Sequence, residues 1–227
     1  MDFLTVNYQS QETTLASFDK IADKLSRDIQ LKVNEAFYRI VDFEFYTYSE
    51  TIPDPHTYKH DLQLKFNKFY LHGSGVDITF GDGKNHGGIL LRSVVKLYGN
   101  ADKSTGFMGK QFDGPQKVAT ELFSNLYPLD GVGVNEIRLI DIEGHNQDNQ
   151  FFPGKAILKT NRVGLTAKKT DLTNYYLNLD LRYIIVLQSF PNFKQSIKGI
   201  ENIVRNKLSN GELDADQAKD ILGYSLK

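Results

Sequence analysis

The stretch Ala36-Phe-Tyr-Arg-Ile-Val-Asp-Phe-Glu-Phe-Tyr-Thr-Tyr48 decides how the rest of the 227-residue chain is read. β-Branched and aromatic residues crowd it. These fit a half-buried pleated surface, so the stretch predicts a long strand. Side chains alternate between the two faces of a strand, which sends Phe37, Val41, Phe43 and Phe45 one way. Asp42, Glu44 and Tyr46 go the other way, spaced roughly 7 Å apart along one face. A carboxylate beside an aromatic ring in a mostly apolar segment is either paired with a cation or takes part in chemistry. The plainer alternative is the solvated face of an edge strand, and residues further along the chain weigh on that choice.

Before this strand, Leu15, Phe18, Ile21, Ala22 and Leu25 recur at helical spacing, and Ile29 to Val33 reads as a short strand. After it, Pro53 and Pro55 make Thr51 to Asp61 a loop. The loop histidines His56 and His60 have no further ligands around them, and such a pair is not read as a metal site. Lys65 to Phe80 reads as two strands broken at Gly73-Ser-Gly75. A turn at Gly81-Asp-Gly83 then leads to a strand from Ile89 to Leu97. The glycines resemble a phosphate loop only superficially: Lys84 is followed by Asn85 and no helix opens behind it, so a hairpin with Asp-Gly turn chemistry is the better reading. Arg92 interrupts the apolar strand. A guanidinium there needs a carboxylate or a ligand, and Glu44 or Asp42 supplies the right kind of partner.

Gly114 to Leu126 predicts a helix with Pro115 at its first position, whose open amides and Lys117 could take a phosphate. Val134 to Ile142 is a strand, and Glu143 to Gln150 a surface loop. The segment from Ala156 to Leu165 carries Arg162-Val-Gly164. With Lys155, Lys159, Lys168 and Lys169 it forms the most basic region. Leu181 to Leu187 is a final strand. Beyond Pro191, Phe193, Ile197, Ile200, Val204 and Leu208 share one helical face, and Asp214 with Gln217 signals a capped last helix. Strands in the middle and helices at the ends predict an α+β domain with a helical C-terminal appendage.

Composition narrows the classes. The chain has 15 Phe and 12 Tyr but no Trp and no Cys. Disulfides, thiolate catalysis and Cys-based zinc sites are therefore excluded, and a reducing compartment fits. No apolar run approaches the roughly 20 residues of a membrane span, and no signal-peptide pattern opens the chain, so a cytoplasmic protein with no membrane partner is expected. The formal charge is −1, which leaves any nucleic-acid contact to a local basic patch.

The order of these features resembles a known family. Ile40-Val-Asp-Phe-Glu-Phe-Tyr46, a histidine ten residues beyond Tyr46, the Gly73-x5-Thr79-x12-Arg92 spacing, Gly114-Pro-x-Lys117 and Arg162-Val-Gly164 are similar to the landmarks of the alkyladenine (3-methyladenine, methylpurine) DNA glycosylases. The resemblance runs from about Phe18 to Tyr183. It implies that Glu44 activates water, that Arg92 helps hold that water, and that Val163 offers a backbone carbonyl. It places a flipped purine between Tyr46 and His56, with Thr79 at the position that discriminates among purines, where the family usually has Asn. It also places His72 where the family has a tyrosine wedge, and Lys117 and Arg162 at the DNA backbone. No metal or cofactor is implied, and the partner is DNA containing damaged purines. With this resemblance, the expected fold is a curved, mainly antiparallel sheet flanked by helices over residues 1–190, and residues 191–227 are the appendage.

Three functions follow. The first is a monofunctional DNA N-glycosylase for alkylated or deaminated purines, which takes the base out of the stack before cleaving it. The second is a nucleobase- or nucleotide-binding module that keeps the pocket without the catalysis. The third is a structural or interaction protein in which Glu44–Arg92 is only a buried ion pair and the C-terminal helices bind a partner. The first gathers Lys110, Lys117, Lys155, Lys159, Lys168 and Lys169 around one mouth, and the third opens no pocket beside Glu44.

Overall fold

A computed structural model describes residues 2–98, 107–128, 133–142, 156–166, 175–187, 197 and 199–226. The decisive stretch is strand β2 (Ala36–Tyr48), as expected, but it is no edge strand. It pairs with β5 (His86–Tyr98) along its length, with β1 (Ile29–Val33) near its start, and with β9 (Arg182–Val186) through Asp42 to Glu44. Every residue from Tyr38 to Phe45 is buried, so the solvated-face alternative fails. Two neighbours therefore share one side of β2, and the sheet branches there.

The other strands are β3 (Phe66–His72), β4 (Gly75–Phe80), β6 (Phe107–Asp113), β7 (Ile137–Asp141) and β8 (Ala156–Thr160). The main path runs β3-β4-β5-β2-β1-β7, with β6 added to β5 and β8 reached through β9. All described pairings are antiparallel, and the sheet curls into a half-barrel. Along β2 and β5 the register steps from Ile40↔Val94 to Asp42↔Ser93 and then to Phe43↔Leu91. Val41 and Arg92 are thus each left over in the ladder. Such a bulge re-aims a side chain, and here it falls at the cation that the sequence marks out.

Helix α1 (Gln11–Arg27) begins at a capping box in which Ser10 and Thr13 satisfy each other's amides. Its apolar stripe of Phe18, Ile21, Ala22 and Leu25 is wholly buried. Phe18 stacks on Phe45 at 4.3 Å, and Phe80 and Tyr183 close an aromatic cluster around that pair. Helix α2 (Pro115–Ser124) has Pro115 at its first turn, as expected, and buries Val118 and Leu122.

Strand β9 is buried on both faces. Tyr183 and Ile185 join the main core, while Ile184 and Val186 pack with Leu158 against Val204 of α3 (Ile200–Ser209) and Ala218 and Ile221 of α4 (Ala215–Leu222). Asp214 and Gln217 form the expected capping box of α4. The C-terminal helices spend their apolar faces on the β8–β9 hairpin. Phe193 and residues 143–150 lie outside the described residues. Strand β6 and a short 3-10 helix at Asp61–Leu64, which the sequence does not announce, complete the fold; His60 caps that turn by accepting from the Leu62 amide.

Candidate active site

The acid face of β2 carries Asp42, Glu44 and Tyr46 together, and each meets a partner from a different part of the chain. Glu44 is completely buried. Its Oε1 accepts the Val163 amide at 2.9 Å and lies 3.3 Å from Arg92 Nη1, while its Oε2 accepts the Tyr46 hydroxyl at 2.8 Å. Burial pushes the Glu44 carboxyl above the usual range; Arg92 and the two hydrogen bonds pull it back, and Asp42 adds to the rise. Asp42 is gripped in bidentate fashion by Arg182, with Nε at 2.9 Å from Oδ1 and Nη2 at 2.6 Å from Oδ2. Arg92 Nε stands 3.8 Å from the same Oδ2. Charges therefore alternate through Arg182, Asp42, Arg92 and Glu44, and the partner that Arg92 required is present twice over.

Tyr46 is held from behind. The Arg162 guanidinium lies 4.5 Å from the centre of its ring, bonded to Asp54 at 2.5 Å and to the carbonyls of Phe45 and Tyr176, each at 3.2 Å. Arg162 and Asp54 have no exposed side-chain surface. This corrects the placement of Arg162 at the DNA backbone: its two terminal nitrogens bond inside the protein, with the guanidinium over the Tyr46 ring. Burial, and then Glu44, raise the Tyr46 phenol and keep it a hydrogen-bond donor.

In front of this layer lies a cavity of about 660 Å³. Tyr46, His56, Arg92 and Val163 line it, so the structure brings these expected residues together; Glu44 sits one layer behind them. Val163 meets Glu44 through its amide. Thr79 does not line the cavity: it is buried, and its hydroxyl accepts the Lys68 amide at 2.9 Å. His72 does line it. Nε2 of His72 meets Asp77 Oδ1 at 2.9 Å, and Nδ1 accepts the Ser74 amide at 3.2 Å, so the ring folds inward and its side chain is only 8% exposed. That geometry does not suit a wedge. The outward side chain at the hairpin is Leu71, which is 52% exposed.

Asp77 and Gln63 were not anticipated. Gln63 Nε2 donates to Asp77 Oδ2 at 3.0 Å, and both are buried on the cavity wall. Gly88 makes room for them, since a Cβ there would lie 2.4 Å from Asp77 Oδ2. Beside it, a Cβ on Gly87 would enter the Phe80 ring, so this glycine pair serves packing. Arg182 and Asp54 were missed as well. Arg182 carries the same signal as Arg92, a cation within an apolar strand.

The basic residues do not form one described patch. Lys117 is exposed and shares a shallow hollow with Lys110 between β6 and α2, while Lys159 is paired with Asp19 at 2.7 Å. Lys155, Lys168 and Lys169 lie outside the described residues. Among the described residues no group of three or more His, Asp or Glu side chains is placed to hold a metal ion, and no helix is long and apolar enough to cross a membrane.

Comparison with known proteins adds one relative. An uncharacterized protein of Acanthamoeba polyphaga mimivirus is 25% identical over 210 residues, which is 80% of this chain and 91% of that protein. No protein-family profile matches the chain.

Proposed function

We propose that the chain is a monofunctional DNA N-glycosylase acting on an alkylated or deaminated purine turned out of the DNA into the cavity. The observation that carries this reading is Glu44, a buried carboxylate of raised proton affinity held by Arg92, Tyr46 and the Val163 amide immediately behind an aromatic-walled cavity. A base inside the duplex cannot be attacked, so it is rotated out and stacked between Tyr46 and His56. As the bond between sugar and base breaks, the base leaves with the bonding electrons and positive charge develops on the sugar. Glu44 stabilises that charge and takes the proton of the water that adds to the sugar carbon, a role worth roughly 10²–10⁴-fold. Arg92 holds Glu44 ionised for this step.

One observation favours a second reading. Glu44 has no exposed surface, and Arg92 and Val163 cover it on the cavity side. If that cover never opens, the cavity binds a nucleobase without cleaving it. The interaction-protein reading is disfavoured, because a cavity does open beside Glu44 and the C-terminal helices pack on β8 and β9.

Incubation with oligonucleotides carrying hypoxanthine or 3-methyladenine, scored for abasic sites, tests the proposal. Base release that disappears in Glu44→Gln supports the glycosylase. Retained binding without release in the unmodified protein selects the binding module.

A further inference from the structure

Asp54 lies between Pro53 and Pro55 in the loop that leaves β2, and it has no exposed surface. Its backbone is tied to the end of that strand: Pro53 bridges to Tyr48, and the Asp54 amide donates to the Ile52 carbonyl at 2.9 Å. The two side-chain oxygens serve different partners. Oδ1 accepts the His56 amide at 3.0 Å, closing the turn in which an aspartate bonds its own backbone two residues on. Oδ2 accepts Arg162 Nη1 at 2.5 Å, and that guanidinium lies 4.5 Å from the centre of the Tyr46 ring. Tyr46 and His56 both line the cavity. One buried carboxylate is thus the common reference for both rings. Through Arg162 it also anchors the segment whose next residue, Val163, donates to Glu44.

An ion pair that only stabilises a fold needs no more than the meeting of its charges. Here the acid divides its oxygens between a cation and a backbone amide, and the cation also bonds the carbonyls of Phe45 and Tyr176. These bonds, closed off from solvent, hold the guanidinium in one place, where its attraction to the π-face holds Tyr46 in turn. We infer that Asp54 is a positioning residue that sets the gap between Tyr46 and His56, and so decides how firmly a flat base is gripped there. The inference rests on the nucleobase reading above and adds to it a residue that the resemblance does not mark. Contact attraction is short-ranged: widening the slot by roughly 0.5–1 Å forfeits about a quarter to a half of it on that face. A displaced carboxylate therefore loosens the grip without removing either ring.

Binding of the free base 2-aminopurine to the full chain tests this, because stacking quenches its fluorescence and the chain has no Trp to interfere. The readouts are affinity and the quench at saturation, which reports how the bound base is stacked. Asp54→Glu keeps a charge for Arg162, but its longer side chain does not close the turn onto the His56 amide. Asp54→Asn combined with Arg162→Met removes both charges together, so that neither is left buried alone. The Asn keeps the turn, while Tyr46 loses its cation. Each variant should bind about tenfold more weakly, the scale of one lost hydrogen bond to a charged group, and should quench less at saturation. Whichever of the two folds is decisive. An unchanged quench at saturation in either folded variant makes Asp54 a structural acid only; it overturns the inference and leaves the nucleobase pocket standing. No binding to the unmodified protein overturns both.

Discussion

The Val163 amide donates to Glu44 Oε1 at 2.9 Å, across 119 residues of sequence. This bond, with the Tyr46 hydroxyl on the other oxygen, fixes the carboxylate against Arg92. Amide-shaped replacements are tolerated by the same donors. In Glu44→Gln the side-chain oxygen can keep the Val163 and Arg92 contacts, while its NH₂ donates to Tyr46, whose hydroxyl turns to accept.

The first expected outcome follows directly. Glu44→Gln should fold normally and lose base release by roughly 10²-fold or more, because the amide accepts no proton from water. Single-turnover release rates alongside DNA binding check this, and a Gln variant that keeps most of the rate would remove Glu44 from the role of base.

The same residue sets a pH dependence. Its folded carboxyl is raised mainly by burial, so the folded protein keeps the Glu44 proton to higher pH than the unfolded chain. Glu44's contribution to stability is therefore greatest below the unfolded value and is lost as pH rises through the folded one. Activity has the opposite sign, since the base must be ionised, and it should decline on the acid side above the ordinary carboxylate range. Glu44→Gln should lack the pH-dependent loss of stability. Melting curves of both proteins across the acid range would show parallel behaviour if Glu44 were unperturbed.

Arg182 is expected to matter more to stability than Arg92. Its two short bonds to a fully buried Asp42 leave an uncompensated carboxylate when it is removed, and Arg182→Met should cost about 3–5 kcal/mol. Adding Asp42→Asn should return much of that loss. Arg92→Ala should cost less, since its side chain is 16% exposed and its ion-pair distances are 3.3 and 3.8 Å. Denaturant unfolding of the three variants and the double variant gives the cycle. An Arg92→Ala loss larger than that of Arg182→Met would reverse the ranking.

At the hairpin, Leu71 and not His72 is expected to fill the gap left by a flipped base, because apolar side chains act as wedges between base steps. Leu71→Ala should slow release from a stable duplex while sparing a single-stranded substrate. His72→Ala should instead cost about 1–3 kcal/mol of stability by leaving Asp77 Oδ1 without its donor. Rates on paired and single-stranded versions of one lesion separate these, and an unchanged duplex rate in Leu71→Ala would dismiss the wedge.

Gly88→Ala should be poorly tolerated, at a cost of about 1–3 kcal/mol, since its Cβ would collide with Asp77 and crowd Gln63. Gly73→Ala is the control, because nothing lies within 4 Å of a Cβ there. Similar melting temperatures for the two variants would show that the wall yields easily.

Much of this arrangement was legible in the sequence where a residue conflicts with its surroundings. Arg92 in an apolar strand demanded an acid, and Glu44 and Asp42 answer it. The bounds of β2 follow from its aromatic and β-branched run. What could not be read depends on relations between distant segments. The staggered bulges exist only once β2 and β5 are in register, and the bidentate Asp42–Arg182 pair needs β9 beside β2. Asp77 between Val76 and Ile78 gave the same warning as Arg92, but its partner Gln63 sits on a 3-10 turn that no periodicity announces. The inward turn of His72 is set by one backbone amide two residues later.

The branching of β2 has a consequence for the order in which the molecule comes into being. Asp42 emerges from the ribosome 140 residues before Arg182, on the order of ten seconds of synthesis. Until Arg92 is made the two acids of the central strand have neither arginine, from then until Arg182 they have one, and the later side of the strand has no β9 to cover it. The nascent chain is thus asked to keep a long, aromatic-rich strand soluble while the second cation is still untranslated. Asp42 and Glu44, both buried in the finished fold, are in that interval the groups that keep the strand in water.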